Sequence, residues 1–272
     1  MKVAYTGWTW LVNHQDNYKF EFEQFLKEVA DIGYDSVENF AFITKYFDNN
    51  AEEVKGLLDK YGLEMVNLYE HFSTDPEEDY KKAGEYIDFM KKIGATYLNL
   101  QGVMWKDAPF DRPTDEATIK AYATLSNRIG KLCKENGCVA VFHPHAATPV
   151  YTEEQIDIFL ANTDPEYVWL CPDTAHTTLA GMDAVAAFKK YLPRIGYVHL
   201  KDVDPDVNNS PEWPMNRFCA LGLGTVDFRG IYRVLKEGGY DGVLCVELDK
   251  PLVCNYKSAL VSREYIHNVM GL

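Results

Sequence analysis

Paired cysteines, basic charge and long apolar runs are all scarce in this 272-residue chain. The six cysteines, Cys133, Cys138, Cys171, Cys219, Cys245 and Cys254, show neither C-x-x-C spacing nor clustering. That excludes a disulfide framework and points to a reducing compartment. Cys138, Cys171 and Cys245 lie in apolar runs, where a thiol acts as a small hydrophobe. Lys and Arg number 27 against 41 Asp and Glu, a formal charge of −14. Such a surface repels a polyphosphate backbone, and no local basic patch offsets it, so nucleic acid is not an expected partner. The acidic stretch from Asp75 to Asp88 reads as a solvated helix face. No apolar run approaches the roughly 18–20 residues a membrane span requires. Met1-Lys2-Val3-Ala4-Tyr5-Thr6-Gly7 enters a strand at once and leaves no room for a signal peptide, so a cytoplasmic protein without membrane association is expected. No linker, low-complexity tract or composition shift divides the chain, and residues 1–272 are expected to form one domain.

What the chain does have is a repeating order: a helical segment, a glycine, then a short apolar run. Gly33, Gly62, Gly94, Gly137, Gly196 and Gly239 each stand between such a pair, in the place where a helix ends on a left-handed residue. The helical segments carry apolar stripes of 3.6-residue period, for instance Phe22, Phe25, Leu26 and Val29, or Tyr86, Ile87, Met90 and Ile93. Thr152 with Gln155 gives a capping-box start. Eight apolar runs begin near Val3, Ser36, Met65, Tyr97, Val139, Val168, Tyr197 and Val243. Eight strand–helix units in a chain of this length predict a (β/α)8 TIM barrel. A doubly wound open sheet would carry a glycine-rich phosphate fingerprint after its first strand, and Gly7-Trp8-Thr9-Trp10 is not one.

Four consecutive runs of the C-terminal half close on an ionisable residue: Val139–Phe142 on His143, Val168–Cys171 through Pro172 on Asp173, Tyr197-Val198 on His199, and Val243–Val246 on Glu247. A charge that ends a buried strand must be satisfied. Imidazole and carboxylate together suit a divalent cation at the C-terminal mouth of the barrel, Mn²⁺ foremost, with Co²⁺, Zn²⁺ or Mg²⁺ as alternatives. His145 shares a face with His143 across Pro144, His176 follows Asp173 by three residues, and Lys201 shares a face with His199. These three, with Glu247, are the acid–base candidates. In the first half, Glu38, Glu70 and His71 end strands and are expected at the mouth. Gln101 and Trp105 are expected to shape the substrate pocket, and Trp8 and Trp10 to offer an apolar wall. Leu221-Gly222-Leu223-Gly224 reads as a loop rather than a nucleotide cradle.

The runs Phe142-His143-Pro144-His145-Ala146-Ala147-Thr148, Asp173-Thr174-Ala175-His176, Val198-His199-Leu200-Lys201-Asp202-Val203, Gly222-Leu223-Gly224-Thr225-Val226-Asp227-Phe228 and Val246-Glu247 resemble the inosose dehydratase family. The resemblance extends over nearly the whole chain. It implies the xylose-isomerase-like barrel superfamily and a metal-dependent dehydration of a keto-polyol. Most epimerases of that superfamily carry a glutamate where this chain has His143, and the dehydratases carry a histidine where it has Pro144. The expected chemistry is proton removal beside a ketone followed by loss of a β-hydroxyl. Return of the proton would give an isomerase or epimerase, and loss of a larger β-substituent would act on a 3-keto-glycoside. An endonuclease IV-like phosphodiesterase would need a basic DNA-binding face. A non-catalytic sugar-binding subunit would not need the inward-facing ligand set, and a homo- or hetero-oligomeric enzyme is compatible with everything above. The charge argument is directly testable: in a gel-shift titration at physiological salt the protein should leave duplex DNA unshifted, and sub-micromolar, salt-sensitive binding would contradict it.

Overall fold

The computed structural model describes residues 1–106, 112–204, 214–251 and 253–272. Eight parallel strands build the barrel: β1 (Lys2–Thr6), β2 (Ser36–Phe40), β3 (Glu64–His71), β4 (Tyr97–Gln101), β5 (Val139–Phe142), β6 (Val168–Leu170), β7 (Tyr197–Leu200) and, after a short hairpin, β10 (Val243–Val246). The hairpin pairs β8 (Asp202–Val203) antiparallel with β9 (Phe218–Cys219). The sheet runs β6-β5-β4-β3-β2-β1-β10-β7. Bridges Leu170–Ile195 and Asp173–His199 join its two ends, with Gly196 N donating to Leu170 O at 2.9 Å and His199 N to Pro172 O at 3.1 Å. The expected (β/α)8 barrel is therefore what forms, and all eight predicted strands fall in it.

Helices form where the 3.6-residue stripes predict. Phe22, Phe25, Leu26 and Val29 are buried on the helix Tyr18–Ile32, and Ile87, Met90 and Ile93 on the helix Pro76–Ile93. Thr152 and Gln155 make the reciprocal capping box of the helix Glu153–Ala161. Five of the six punctuating glycines adopt positive φ, Gly33 at 97° among them. Gly196 does not. Its constraint is space, since a Cβ there would sit 2.7 Å from the Trp169 Cβ. A residue with any side chain would push β7 from β6 at the seam where the barrel closes.

Two cores result. The larger lies between strands and helices; the smaller fills the barrel with Ala4, Val66, Val141, Cys171, Tyr197, Val243 and Cys245, backed by Tyr97, Val139 and Trp169. Strand alternation separates Glu70 from His71. His71 reaches the mouth, whereas Glu70 turns outward into a small cavity with Phe72, Asp79, Lys82 and Tyr86, contrary to the expectation that both face the mouth.

Burial holds the Glu70 carboxyl up at about 7; Asp79 adds to this, and Lys82 and Tyr86 work against it. Between its ordinary 4.5 and that value the folded chain retains a proton the unfolded chain has released. The contribution of Glu70 to stability therefore declines as pH rises through that window. Glu70→Gln should match the wild type in thermal melts at pH 5 and exceed it at pH 8; equal melting differences at both values would refute the assignment.

Candidate metal centre and acid–base site

The interior face of each strand continues with period two beyond its last ladder residue. Val139 and Val141 point inward, and so does His143. Trp169 and Cys171 lead to Asp173, Tyr197 to His199 and Lys201, and Val243 and Cys245 to Glu247. The ladder also extends under the site: His143 N donates to Leu100 O at 2.8 Å, and Glu247 N to Leu200 O at 3.1 Å. These side chains thus stand on sheet backbone rather than on loops.

His143, Asp173, His199 and Glu247 each offer one ligand atom, and the four atoms lie within 4.8 Å of one another. His143 Nδ1 donates to Cys171 O at 3.1 Å, which leaves the Nε2 lone pair facing inward. Asp173 Oδ1 accepts from Ala175 N and His176 N at 2.7 and 2.8 Å, capping the next helix, while Oδ2 has no hydrogen bond. His199 Nε2 is held at 3.0 Å by Glu38 Oε2, which Asn67 Nδ2 also contacts. His199 Nδ1 and Glu247 Oε2 form an ion pair at 2.9 Å without hydrogen-bond alignment. One buried atom per residue, two nitrogens and two oxygens, makes no hydrogen bond among the described residues and faces the other three. That donor set fits a divalent cation. Burial disfavours charge on His199, but Glu38 and Glu247 outweigh it and push the imidazole up to about 10. Burial raises Asp173 to about 6, against the pull of Lys201.

Lys201 is wholly buried beside this point, with Asp249 Oδ2 at 2.8 Å, Glu247 Oε2 at 3.1 Å and Asp173 Oδ2 at 3.7 Å. Burial opposes its charge, yet Asp249, Glu247 and Asp173 keep it protonated well above the ordinary range. Its ammonium also lies 4.6 Å from the Phe218 ring centre, and Phe218 packs edge-on against His176. Asp202 holds this wall together. Its carboxylate accepts from the amides of Val203, Gly222, Gly224 and Val226 at 2.8–3.0 Å, so the Leu221–Gly224 glycines cradle the chain's own carboxylate.

His145 and His176 are buried with ring centres 3.8 Å apart. Burial lowers both, helped by Lys201; His145 falls to about 3 and His176 well below its ordinary value. Both imidazoles are neutral at physiological pH. His145 lines a cavity of about 290 Å³ at the mouth, together with Trp8, Val12, Asn13, Phe40, Tyr69, His71, Met104, Glu247 and Asp249. His71 is likewise neutral, lowered to about 4 by burial. A wider, shallower cavity of about 500 Å³ opens at the other end of the barrel, but its one carboxylate, Asp241, is taken up by the N-terminal ammonium.

Of the residues expected to touch substrate, His71 and Trp8 line the mouth cavity. Glu38 stands behind His199, and Gln101 is buried against the Tyr69 hydroxyl. Trp105 is half-buried, its amide on Ala147 O and Arg112 over its ring. Trp10 turns to the core, against Tyr5 and Phe25. Asp249 and Tyr69 were not singled out by the sequence. Asp249 lies two residues beyond Glu247 on the same interior phase, the signal that would have found it.

An eight-stranded parallel barrel with its titratable side chains gathered at the C-terminal mouth defines a TIM-barrel enzyme. The profile of the xylose isomerase-like TIM barrel family matches residues 26–263, and the chain belongs to that family. Inosose dehydratase of Clostridium perfringens (strain 13 / Type A) is 31% identical over 275 aligned residues, covering 92% of this chain and 91% of its own length. Among solved structures, the IolI protein with a bound zinc atom has a TM-score of 0.77 at 17% identity, covering 100% of this chain and 98% of its own. The 3-keto-D-glucoside 4-epimerase YcjR from E. coli, in its apo form, gives 0.75 at 16%, covering 98% and 99%.

Because a proton and a cation compete for His199 Nδ1, metal uptake should release protons and tighten as pH rises. Calorimetry in two buffers of different ionisation enthalpy measures that release. Asp173→Ala and Glu247→Gln should lose most of the metal while circular dichroism stays unchanged; full occupancy in both would rule the site out.

Proposed function

We propose that this protein is a divalent-metal-dependent lyase that dehydrates an uncharged keto-polyol or keto-sugar, as the name of its inosose dehydratase relatives suggests. The observation that carries the reading is the convergence of four candidate ligand atoms, none with a hydrogen bond among the described residues, beside a neutral histidine on the mouth cavity. A cation held by His143, Asp173, His199 and Glu247, Mn²⁺ foremost, would polarise a substrate ketone and its neighbouring hydroxyl.

The chain's own groups do the proton work. Glu247 is committed to His199 and Lys201, which leaves His145 as the base that removes the proton beside the ketone. The C–H pair becomes the new C=C bond, the β-C–O bond breaks, and the hydroxyl, held by a hydrogen bond from His176, leaves as water with the proton that His145 took from carbon. Lys201 keeps its proton and acts as a fixed counter-charge for developing negative charge. Among the described residues the mouth cavity has no lysine or arginine in its lining, and Lys201 beside it is already paired with Asp249 and Glu247, which favours an uncharged substrate.

Two observations keep related reactions in view. His71 is a second neutral imidazole on the same cavity, placed to return a proton in an isomerase or epimerase. The outer wall of Trp8, Val12, Phe40 and Met104 is apolar, which suits a β-substituent larger than hydroxyl on a 3-keto-glycoside. A screen of keto-inositols and keto-sugars in D₂O distinguishes them: elimination supports the lyase, solvent deuterium in recovered substrate or its isomer supports the epimerase. His145→Ala should slow either step by about 10²-fold or more. Neither exchange nor elimination with any such ketone would remove the mechanism.

A further inference from the structure

The loop that follows β5 places both polar groups of one backbone residue between two histidines. Ala146 O accepts from His145 Nδ1 at 2.5 Å, and Ala146 N donates to His176 Nδ1 at 3.3 Å. A carbonyl oxygen can only accept, so in the neutral His145 ring Nδ1 carries the hydrogen and Nε2 is a lone pair. An amide N–H can only donate, so in the neutral His176 ring Nδ1 is the lone pair and Nε2 carries the hydrogen. That Nε2 is buried with no hydrogen-bond partner among the described residues.

The loop is built to hold this arrangement. Ala147 is one of three non-glycine residues among the described positions with positive φ, at 62°, and it is wholly buried. Strain of this kind persists only where surrounding contacts impose it. Here the Trp105 amide donates to Ala147 O at 2.7 Å, and Thr148 Oγ1 donates to His145 O at 2.7 Å.

We propose that the backbone of Ala146 fixes opposite tautomers in His145 and His176, making His145 an obligate proton acceptor and His176 an obligate hydrogen-bond donor. Ala146 is thus a positioning residue for the acid–base pair. The inference rests on the acid–base reading given above, and it explains how two adjacent, chemically identical side chains come to opposite tasks. The two ring nitrogens left free differ in kind: one takes a proton from carbon, the other gives a hydrogen bond to a leaving oxygen.

The test is a long-range ¹H–¹⁵N correlation spectrum of the full chain labelled at histidine, with any paramagnetic ion replaced by Zn²⁺ or Mg²⁺. The signals are assigned by their loss in His145→Asn and His176→Asn. At neutral pH His145 should show its hydrogen on Nδ1 and His176 on Nε2. The reverse assignment for either ring would overturn the proposal. The same two variants separate backbone control from control by the neighbouring ring. Asparagine presents a donor to Ala146 O or an acceptor to Ala146 N in the place of the lost Nδ1. The remaining histidine should keep its tautomer in each variant, and a switch would place the control in the ring pair. No substrate is involved, so these tautomers stand or fall separately from the lyase reading: if they hold and no ketone reacts, only the reaction class fails.

Discussion

The organisation of the site follows from one constraint: strand alternation drives ionisable side chains into a barrel mouth where most of them are buried. A buried polar atom without a partner costs about 1–3 kcal/mol, and more when it is charged. The mouth manages this by giving each group one anchored atom and one shared atom. Counting formal charges, Glu38, Asp173, Glu247 and Asp249 stand against Lys201 and a protonated His199, an excess of two negative charges. A divalent ion that displaces the His199 proton leaves an excess of one. The ligand layer is thus electrostatically better matched with a cation than without one, and the same arithmetic explains a fully buried lysine beside it.

The supporting contacts have the same logic one step further out. Glu38 and Asn67 fix which nitrogen of His199 faces inward, and Cys171 O does so for His143. Asp202 spends its whole carboxylate on four amides. It thereby ties the loop Leu221–Val226 to the β8–β9 hairpin that presses Phe218 against His176 and Lys201. Gly224 is indispensable to that cradle, because a Cβ there would meet Val203 O at 2.3 Å and Asp202 Oδ1 at 2.4 Å.

The barrel was legible because each strand is short, apolar and preceded by a helix-ending glycine, and the four candidate ligands were brought together because each closes such a run. Glu38 was harder to place. Its position depends on an irregularity in the β2–β3 register between Val37 and Glu38, which no single-strand pattern reveals. Trp8 and Trp10 fall on one short helix, Trp8–Leu11, yet face a cavity and a core respectively, a choice made by the packing of Phe40 on one side and Phe25 on the other. The β8–β9 hairpin has two residues per strand, too few for any periodicity to register. Asp173, expected as a ligand, also caps the helix that follows, because its two oxygens face different ways.

The exchange of glutamate for histidine at the end of β5 bears on which reaction the site favours. A glutamate there could serve as both ligand and base. His143 cannot do both, because Cys171 O occupies Nδ1 and the inward Nε2 is the only lone pair it has. In the proposed mechanism the base is therefore a residue that is not a ligand, and His145 is the histidine on the same face of the same segment. Its neutral partner His176 lies tilted against it with ring centres 3.8 Å apart, so proton acceptor and hydrogen-bond donor sit side by side. Two groups so placed serve a proton leaving one carbon and an oxygen leaving the next. Inverting a single carbon needs groups on opposite faces, and among the described residues His71 is the other neutral imidazole lining the cavity. The side-by-side pair is the geometric argument for elimination over epimerisation.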